Sequence, residues 1–412
     1  MTKEKFHSLL GIKESYEMPD RLMEILKDKV ETLEFMKKIV DSEDINHDFM
    51  RDYFQQEHGD RKELKQDYTP DSICEVLAGI MEGGEKKERY ADICAGTGAL
   101  TIAQWKRNKD AYFYCEEYSK RAIPILLLNL AIRGINGQVV QGDSLTGQTD
   151  KIFNLKRAGR FSTITEMKKK DTDKFDVVVT NPPYSMSWQD VDEYRYDKRF
   201  IKYGVPPASK SDYAFILHSI NKMKSDGKTI AVVPHGLLFR GSKEGSIREN
   251  LLKDKMLESV IGLPDKLFMN TTIPVCLLVF KSGSDTTYVI DSSKEYTPGK
   301  KQNVMEQEHV HKIIEAYRNK WNIEKYARIV DLCEIEQNEY NLNIPRYIDT
   351  LEREPVPDLI QCFGELVEVE KEIHSTEVDL YEMLTQLEAT GEKRMELDFM
   401  INNLEKHLKG GW

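Results

Sequence analysis

The residues Asn-Pro-Pro-Tyr at 181–184 follow the apolar run FDVVVT, and this combination can activate an amine. Proline lacks the N–H that a strand interior needs, so the prolines end a buried strand and leave Asn181 and Tyr184 at its carboxyl end. The side-chain carbonyl of Asn181 and the backbone carbonyl of Pro182, stiffened by Pro183, are two acceptors for the protons of an exocyclic amine on an aromatic base. Tyr184 adds a ring on which such a base can stack. The residues therefore predict attack by a poorly nucleophilic amine, without a metal or a covalent intermediate.

A glycine-rich turn, DICAGTG at 92–98, ends an earlier predicted strand. Gly96 and Gly98 let the backbone turn tightly and approach a ligand closely. Glu117 ends the next strand about 20 residues further on, where a ribose-binding carboxylate is expected. Asp143 ends the third strand. Because the carboxyl ends of parallel strands meet at one edge of a sheet, these residues predict a nucleotide site there.

Features that are missing from the sequence limit which nucleotide the glycine turn can bind. The run GTGALT has no third glycine of a dinucleotide fold, and the sequence has no GxxxxGK[ST]. Asp92, just before the turn, would repel a pyrophosphate but suits a cation. S-adenosyl-L-methionine carries a sulfonium and an ammonium, and its ribose suits a carboxylate. The sequence thus predicts this cofactor and methyl transfer. The alternatives are turn-forming roles for Asp92 and Asp143 and a solvated strand end at Glu117.

Strand-like and helix-like segments alternate over residues 90–280, which predicts a largely parallel sheet with helices on both faces. The segments ESVIGLP and PVCLLVF are too close for a crossover helix, so they are predicted to pair antiparallel and to give a mixed sheet edge. Ahead of the sheet, Thr69 is predicted to cap a helix with Pro70 at its first position. That helix is expected to run to about Met81 and to end at Gly83 and Gly84.

Composition limits the class of protein. The chain has 412 residues and a net charge of −11, and 40% of its residues are hydrophobic. No run approaches the roughly 18 to 20 apolar residues of a membrane span, and the N-terminus lacks the apolar centre of a signal peptide. Six cysteines without a CxxC pair indicate a reducing cytoplasm and argue against structural zinc.

The acidic charge disfavours nucleic-acid binding overall, but basic residues cluster locally. Residues 151–170 hold seven Lys or Arg and one Glu. A second basic cluster consists of Lys198, Arg199, Lys202 and Lys210. Two interpretations stay open for residues 151–170: a solvated loop, or a basic lip beside the site built by Asn181.

The C-terminal region has an apolar repeat at intervals of seven residues. Its members are Leu359, Leu366, Ile373, Leu380 and Leu387. The repeat predicts either a helix-pairing seam for another subunit or a helix packed on its own body.

DICAGTG followed by NPPY resembles amino-group DNA methyltransferases, and most closely the modification (M) subunit of type I restriction–modification systems. Other resembling segments are YTP at 68–70, SDYAFILHSI, VVPHGLLFRG, GLPDKLF, TTIPVCLLVF and EIEQNEYNLNIPRYID. The resemblance implies a Rossmann-like class I methyltransferase sheet, mostly parallel with an antiparallel edge strand, flanked by an N-terminal helical region and a C-terminal helical tail. The implied domains are a helical region at 1–64, a methyltransferase domain at 65–285, a connecting segment at 286–355 and helices for subunit association at 356–412.

The resemblance also implies an activity, which is methyl transfer from S-adenosyl-L-methionine to adenine N6 of a flipped base in double-stranded DNA. The implied partners are a separate specificity subunit, a second M subunit and optionally a motor/nuclease subunit. The catalytic residues implied are Asn181, Pro182, Pro183 and Tyr184. The predicted cofactor-binding residues are Tyr68, Thr69, Pro70, Asp92, Ala95, Gly96, Thr97, Gly98, Glu117, Asp143, Ser144 and Asn181.

Three alternative functions stay open. The first is an amino-methyltransferase that acts on a protein glutamine or an RNA base, for which the same four residues at 181–184 would serve. The second is a catalytically silent scaffold subunit. The third is a nicotinamide-dependent oxidoreductase, which the missing third glycine disfavours.

Overall fold

The computed structural model describes residues 1–59, 68–82, 88–188, 191–269, 271–350 and 358–410. The α-helices of these residues are α1 (Lys3–Leu10), α2 (Met18–Lys27), α3 (Lys29–Val40), α4 (Arg51–Glu57), α5 (Asp71–Met81), α6 (Ala99–Arg107), α7 (Ala122–Ile132), α8 (Asp212–Lys222), α9 (Ser242–Lys253), α10 (Gln307–Asn319), α11 (Leu332–Gln337), α12 (Leu359–Thr385) and α13 (Glu392–Gly410). The strands are β1 (Arg89–Ile93), β2 (Tyr112–Glu117), β3 (Asn136–Gly142), β4 (Thr149–Ala158), β5 (Phe161–Met167), β6 (Phe175–Thr180), β7 (Met223–Pro234), β8 (Leu257–Gly262), β9 (Val275–Phe280), β10 (Thr286–Asp291) and β11 (Ala327–Asp331).

The strands form one sheet in the order β11-β10-β8-β9-β7-β6-β1-β2-β3-β4-β5. The central strands β3, β2, β1, β6 and β7 pair in parallel. Strands β4, β9 and β11 run opposite to the others. The predicted fold class is confirmed, and the carboxyl ends of the central strands lie at one edge of the sheet, where a ligand site of such a fold is expected.

Alternate residues of the central strands enter two separate cores because side chains alternate across a sheet. One core includes Phe113, Cys115 and Val179 and packs against helices α1 to α7 and α10. The other includes Tyr114 and Val178 and packs against α8, α9 and α11. The sheet is therefore the middle layer of three.

The antiparallel pairing of β8 with β9 is confirmed, but these strands are not at the sheet edge. Strand β10 pairs with β8 and β11 extends the sheet beyond it. Residues 286–350, expected only to connect two domains, thus supply two strands, because the short apolar run at Tyr288, Val289 and Ile290 is buried. By compactness the chain divides into Met1–Thr350 and Leu351–Trp412, and the predicted division into four domains stays a prediction.

The basic segment at 151–170 is a hairpin, formed by β4 and β5, and not a solvated loop. Strand β4 lies four positions from β6 in the sheet. At about 4.8 Å per strand, it is about 19 Å from the strand that ends at Asn181, so the hairpin itself does not form a lip beside that residue. Lys170, which follows the hairpin, lies 2.9 Å from Glu116 at the end of β2.

The start of helix α5 also differs from its prediction. Its N-cap is Pro70, and no side chain caps it. The Thr69 hydroxyl instead meets Asn181, as described below. The helix ends at Met81 as predicted, and Gly83 and Gly84 lie outside the described residues.

The second compact unit contains α12 and α13, and His407 Nε2 on α13 lies 3.2 Å from Glu377 Oε1 on α12. The apolar residues at intervals of seven are each between 46% and 83% exposed; they are Leu359, Leu366, Ile373, Leu380 and Leu387. A search of the described helices finds none that is both long and apolar enough to cross a membrane.

Candidate active site

The glycine turn connects β1 to α6 and requires its glycines. Gly96 has φ +57° and Gly98 has φ +98°, in the left-handed region that side chains disfavour. A Cβ atom on Gly96 would lie 3.3 Å from the ring of Tyr68, and one on Gly98 would lie 2.9 Å from Leu126. The turn thus approaches the predicted cofactor residue Tyr68, and Ala95 before it is buried.

Of the two adjacent glutamates, Glu117 is the one beside the glycine turn. Its Oε2 accepts a hydrogen bond from the Gly96 N–H at 2.7 Å, and its Oε1 accepts one from the Ser119 N–H at 2.7 Å. Burial raises the pKa of this carboxyl, although the N–H donors oppose the shift. Glu116 projects from the opposite face of the sheet, because successive side chains of a strand alternate.

Asp92 lies on the same face as Glu117 and is buried. Its Oδ2 accepts a hydrogen bond from the Thr101 hydroxyl at 2.7 Å. Its Oδ1 has no hydrogen-bond partner among the described residues. Burial raises the pKa of Asp92 to about 7. An unsatisfied buried carboxylate oxygen is costly, so a ligand that donates to it would be favoured there.

The predicted residues after β3 have their side chains engaged elsewhere. Asp143 accepts a hydrogen bond from the Leu145 N–H at 2.8 Å, which closes a turn. The Ser144 hydroxyl donates to Glu116 Oε2 at 2.7 Å. Neither hydrogen bond links these side chains to the glycine turn, and their predicted contact with a cofactor stays a prediction.

Asn181 directly follows β6, which is the parallel neighbour of β1. Its Nδ2 donates to the Thr69 hydroxyl at 2.9 Å, and its Oδ1 accepts from the Tyr184 hydroxyl at 2.8 Å. The YTP segment, whose Tyr68 lies over Gly96, thus joins the glycine turn to the catalytic candidate. Four predicted features, the YTP segment, the glycine turn, Glu117 and Asn181, are brought together.

The rest of the tetrapeptide is held by its neighbours. Pro182 is buried, Pro183 is half-buried, and the Tyr184 ring packs edge-on against Phe268 at 6.0 Å between centroids. The Ser185 N–H donates to Asp212 Oδ1 at 3.0 Å. Sequence reasoning assigned no role to Phe268, since it is distant in the chain and its contact with Tyr184 depends on the folded loop after β8.

One more polar group at the glycine turn was missed. Asp48 in the N-terminal helical region accepts a hydrogen bond from the Thr97 hydroxyl. No sequence motif signals this contact, because the two residues are 49 positions apart. Near Tyr68 and Pro70 there is also a cavity of about 290 Å³, which extends to Met269 and Gln302.

The opposite face of the sheet carries a cluster of two lysines and a histidine around Glu116. His218, Lys222 and Lys170 lie at 2.8, 3.2 and 2.9 Å from its carboxylate. Burial alone would raise the pKa of Glu116, but these partners hold it well below its ordinary value. In the described ranges no group of three or more His, Cys, Asp or Glu could hold a metal ion.

Comparison with known proteins shows the family. A family model described as N-6 DNA Methylase matches residues 43–355, so the chain belongs to the N-6 DNA methylase family. The methylase subunit of the type I restriction enzyme MjaVIII from Methanocaldococcus jannaschii is 28% identical, over 77% of this chain and 54% of the relative. The MpnII methylase subunit from Mycoplasma pneumoniae is 27% identical, over 88% of this chain and 68% of the relative.

Among solved structures, the methyltransferase subunit of a type I restriction-modification system from Streptococcus thermophilus is 30% identical. The TM-score of the match is 0.65, and the match covers 74% of this chain and 63% of the S. thermophilus chain. The chain spans about half the length of the M. jannaschii relative. The resemblance to M subunits of type I systems is thereby supported.

Proposed function

We propose that this chain transfers a methyl group from S-adenosyl-L-methionine to adenine N6 in double-stranded DNA, as the modification subunit of a type I restriction–modification complex. The observation that carries the proposal is the contact of Thr69 with Asn181 beside Tyr68, which adjoins the glycine turn. This contact links the candidate cofactor site to Asn181 and Pro182, whose carbonyl oxygens are the two proposed acceptors for the protons of an amine.

The residues at the glycine turn fit this cofactor. Asp92 and Glu117 are buried carboxylates without an ion-pair partner among the described residues, and Oδ1 of Asp92 is unsatisfied. Such a surface favours a cationic ligand over an anionic one. Glu117 and the Asp92 carboxylate would hold it, and Gly96 and Gly98 would let the backbone approach it. When bound, the cofactor supplies an electrophilic methyl group on its sulfonium.

The chain's own part in the reaction is to prepare the amine. The lone pair of an exocyclic amine is delocalised into its ring. Asn181 Oδ1 and the Pro182 carbonyl accept hydrogen bonds from its two protons, which favours a pyramidal nitrogen. Preorganised partners of this kind contribute about 10²- to 10³-fold to a rate each. The Tyr184 ring supports the base by stacking, worth about 1–3 kcal/mol.

The present conformation bears on how the base enters. The Tyr184 hydroxyl donates to Asn181 Oδ1, which is the acceptor that the amine requires. The Tyr184 ring is buried against Phe268. Base entry therefore requires the hydroxyl to leave the carboxamide and the ring face to open. Stacking of the base on the Tyr184 ring favours this change. It also offsets part of the few kcal/mol needed to flip the base out of the duplex.

The proposed partners follow from the second compact unit and from the family. Its exposed apolar residues at intervals of seven suit helix pairing with another chain. We assign this surface to a separate specificity subunit, which reads the DNA target, in an assembly with a second M subunit and optionally a motor/nuclease subunit. A chain with a net charge of −11 suits this division of labour.

The proposal is tested by sequencing N6-methyladenine across the genome of a methylation-free bacterial host. The chain is expressed alone, with its specificity partner, and as Asn181→Ala with that partner. Methylation at one motif, only with the partner and intact Asn181, is expected. Methylation by the chain alone would contradict the division of labour, and no methyladenine from an assembled complex would contradict the acceptor.

A further inference from the structure

The loop between α3 and α4 contacts the glycine turn through Asp48. Asp48 of this loop is buried and has three donors. The Thr97 hydroxyl donates to Oδ2, the Asn129 amide donates to Oδ1 at 2.9 Å, and the Met50 N–H donates to Oδ1 at 3.2 Å. Thr97 is the residue between the two glycines of the turn.

Asn129 and Arg133, both from the α7 region, complete the network. The Asn129 amide also donates to the Thr97 backbone carbonyl at 2.8 Å. Arg133 donates to Asn129 Oδ1 at 3.2 Å and to the carbonyls of Ile45 and His47 at 2.7 and 2.6 Å. Hydrogen bonds therefore fix both the side chain and the backbone of Thr97.

The direction of the hydrogen bonds at Asn129 is fixed. A guanidinium only donates and a backbone carbonyl only accepts. Arg133 therefore holds the oxygen of the Asn129 amide, which turns its NH₂ toward Asp48 and the Thr97 carbonyl. Because the partners cannot exchange roles, the network specifies one position for Thr97 and hence one conformation of the turn.

We infer that Asp48 is a positioning residue for the cofactor, which sets the glycine turn through Thr97 and makes the N-terminal helical region part of the cofactor site. The inference rests on the proposed function. It goes beyond packing, since the network ends on the turn residue whose flanking glycines require a special backbone conformation. The physical consequence is that loss of the Asp48 carboxylate relaxes the turn and weakens cofactor binding.

The test is calorimetric titration of the full chain with S-adenosyl-L-methionine, together with thermal unfolding of each ligand-free variant. Asp48→Asn keeps the shape but removes an acceptor, and Thr97→Val removes only the hydroxyl. We expect each to raise the cofactor Kd by about tenfold. The double variant should be no worse than the worse single one, because both break the same contact. The matched control is Thr32→Val, since the Thr32 hydroxyl donates to the Ile25 carbonyl at 2.7 Å in the same region, away from the turn.

The control separates positioning from stability. We expect Thr32→Val to lower the unfolding temperature and to leave the Kd unchanged. The inference is overturned if Thr97→Val binds within about twofold of wild type, or if Thr32→Val weakens binding as much as Thr97→Val does. Thr97→Val decides the matter if Asp48→Asn does not fold. A wild-type chain that does not bind the cofactor would overturn the proposed function as well, and so is distinguishable from failure of this inference alone.

Discussion

At the end of β2, the buried carboxylates on the two faces of the sheet have pKa values that are shifted in opposite directions. On one face, Glu116 is surrounded by His218, Lys222 and Lys170, and its pKa is held well below the ordinary value despite burial. On the other, Asp92 and Glu117 have raised pKa values because burial is not offset by a described cation.

Under the proposed function, this difference distinguishes a structural carboxylate, Glu116, from carboxylates that bind the cofactor. The Glu116 cluster satisfies its own charges and so needs no ligand. The other face has two buried carboxylates without a described counter-charge. Their burial is unfavourable and must be offset by other interactions in the fold, as is common at functional sites. The same residue type at adjacent positions thus has two roles, and identical substitutions at the two positions should separate them.

The largest expected effect is on stability, from Glu116→Gln. The substitution keeps the shape but removes the counter-charge of the half-buried Lys170 and Lys222 from the buried centre of the cluster. Removal of one partner of a buried ion pair typically costs about 3–5 kcal/mol. Urea unfolding at pH 7 measures the loss. A cost below about 1 kcal/mol would mean that the cluster is solvated like a surface pair.

A smaller effect is expected for the matched change at the neighbouring position, Glu117→Gln. The cofactor Kd should rise by about tenfold or more, because an amide cannot accept from both Gly96 and Ser119 and also carry negative charge. Stability should fall by about 1–3 kcal/mol, less than at Glu116, because one buried N–H loses its acceptor. If Glu117→Gln lost as much stability as Glu116→Gln and kept its cofactor affinity, the two faces would not differ in role.

The smallest effect concerns pH. Asp92 has a pKa of about 7 in the folded chain against an ordinary value of 3.8. Since the folded state holds this proton more tightly, its contribution to stability falls as the pH rises from about 4 through 7. Its charge, however, favours a cationic ligand. Relative to Asp92→Asn, wild-type affinity for S-adenosyl-L-methionine should therefore increase by up to about tenfold between pH 6 and pH 8. Equal pH profiles in calorimetry would contradict this.

How far the sequence predicts this molecule depends on how local the signal is. Strand β6 has the bounds of FDVVVT because an apolar run ends at prolines. Strand β10 was missed because its apolar run is short and its partner β8 is distant in the chain. The cap assigned to Thr69 was wrong, since its hydroxyl meets Asn181, 112 residues away.

The site follows the same rule. The glycine turn and the Asn-Pro-Pro-Tyr segment are continuous in sequence and could be predicted, although their roles stay predictions. Asp48 could not, because its contacts with Thr97 and Asn129 span 49 and 81 residues. The preference for Glu117 over Glu116 rests on strand parity and on the family resemblance, and the structure gives that parity a physical consequence.

The most direct measurement of the central claim identifies the methylated atom. The purified chain, assembled with its specificity partner, reacts in a single turnover with a duplex that carries the target motif, and mass spectrometry of the digested nucleosides reads the product. We predict N6-methyladenine from wild type and a rate lower by about 10²- to 10³-fold for Asn181→Ala, with cofactor affinity retained. A duplex without N6-methyladenine from an assembled wild-type complex, or an Asn181→Ala variant that reacts at the wild-type rate, would contradict the account.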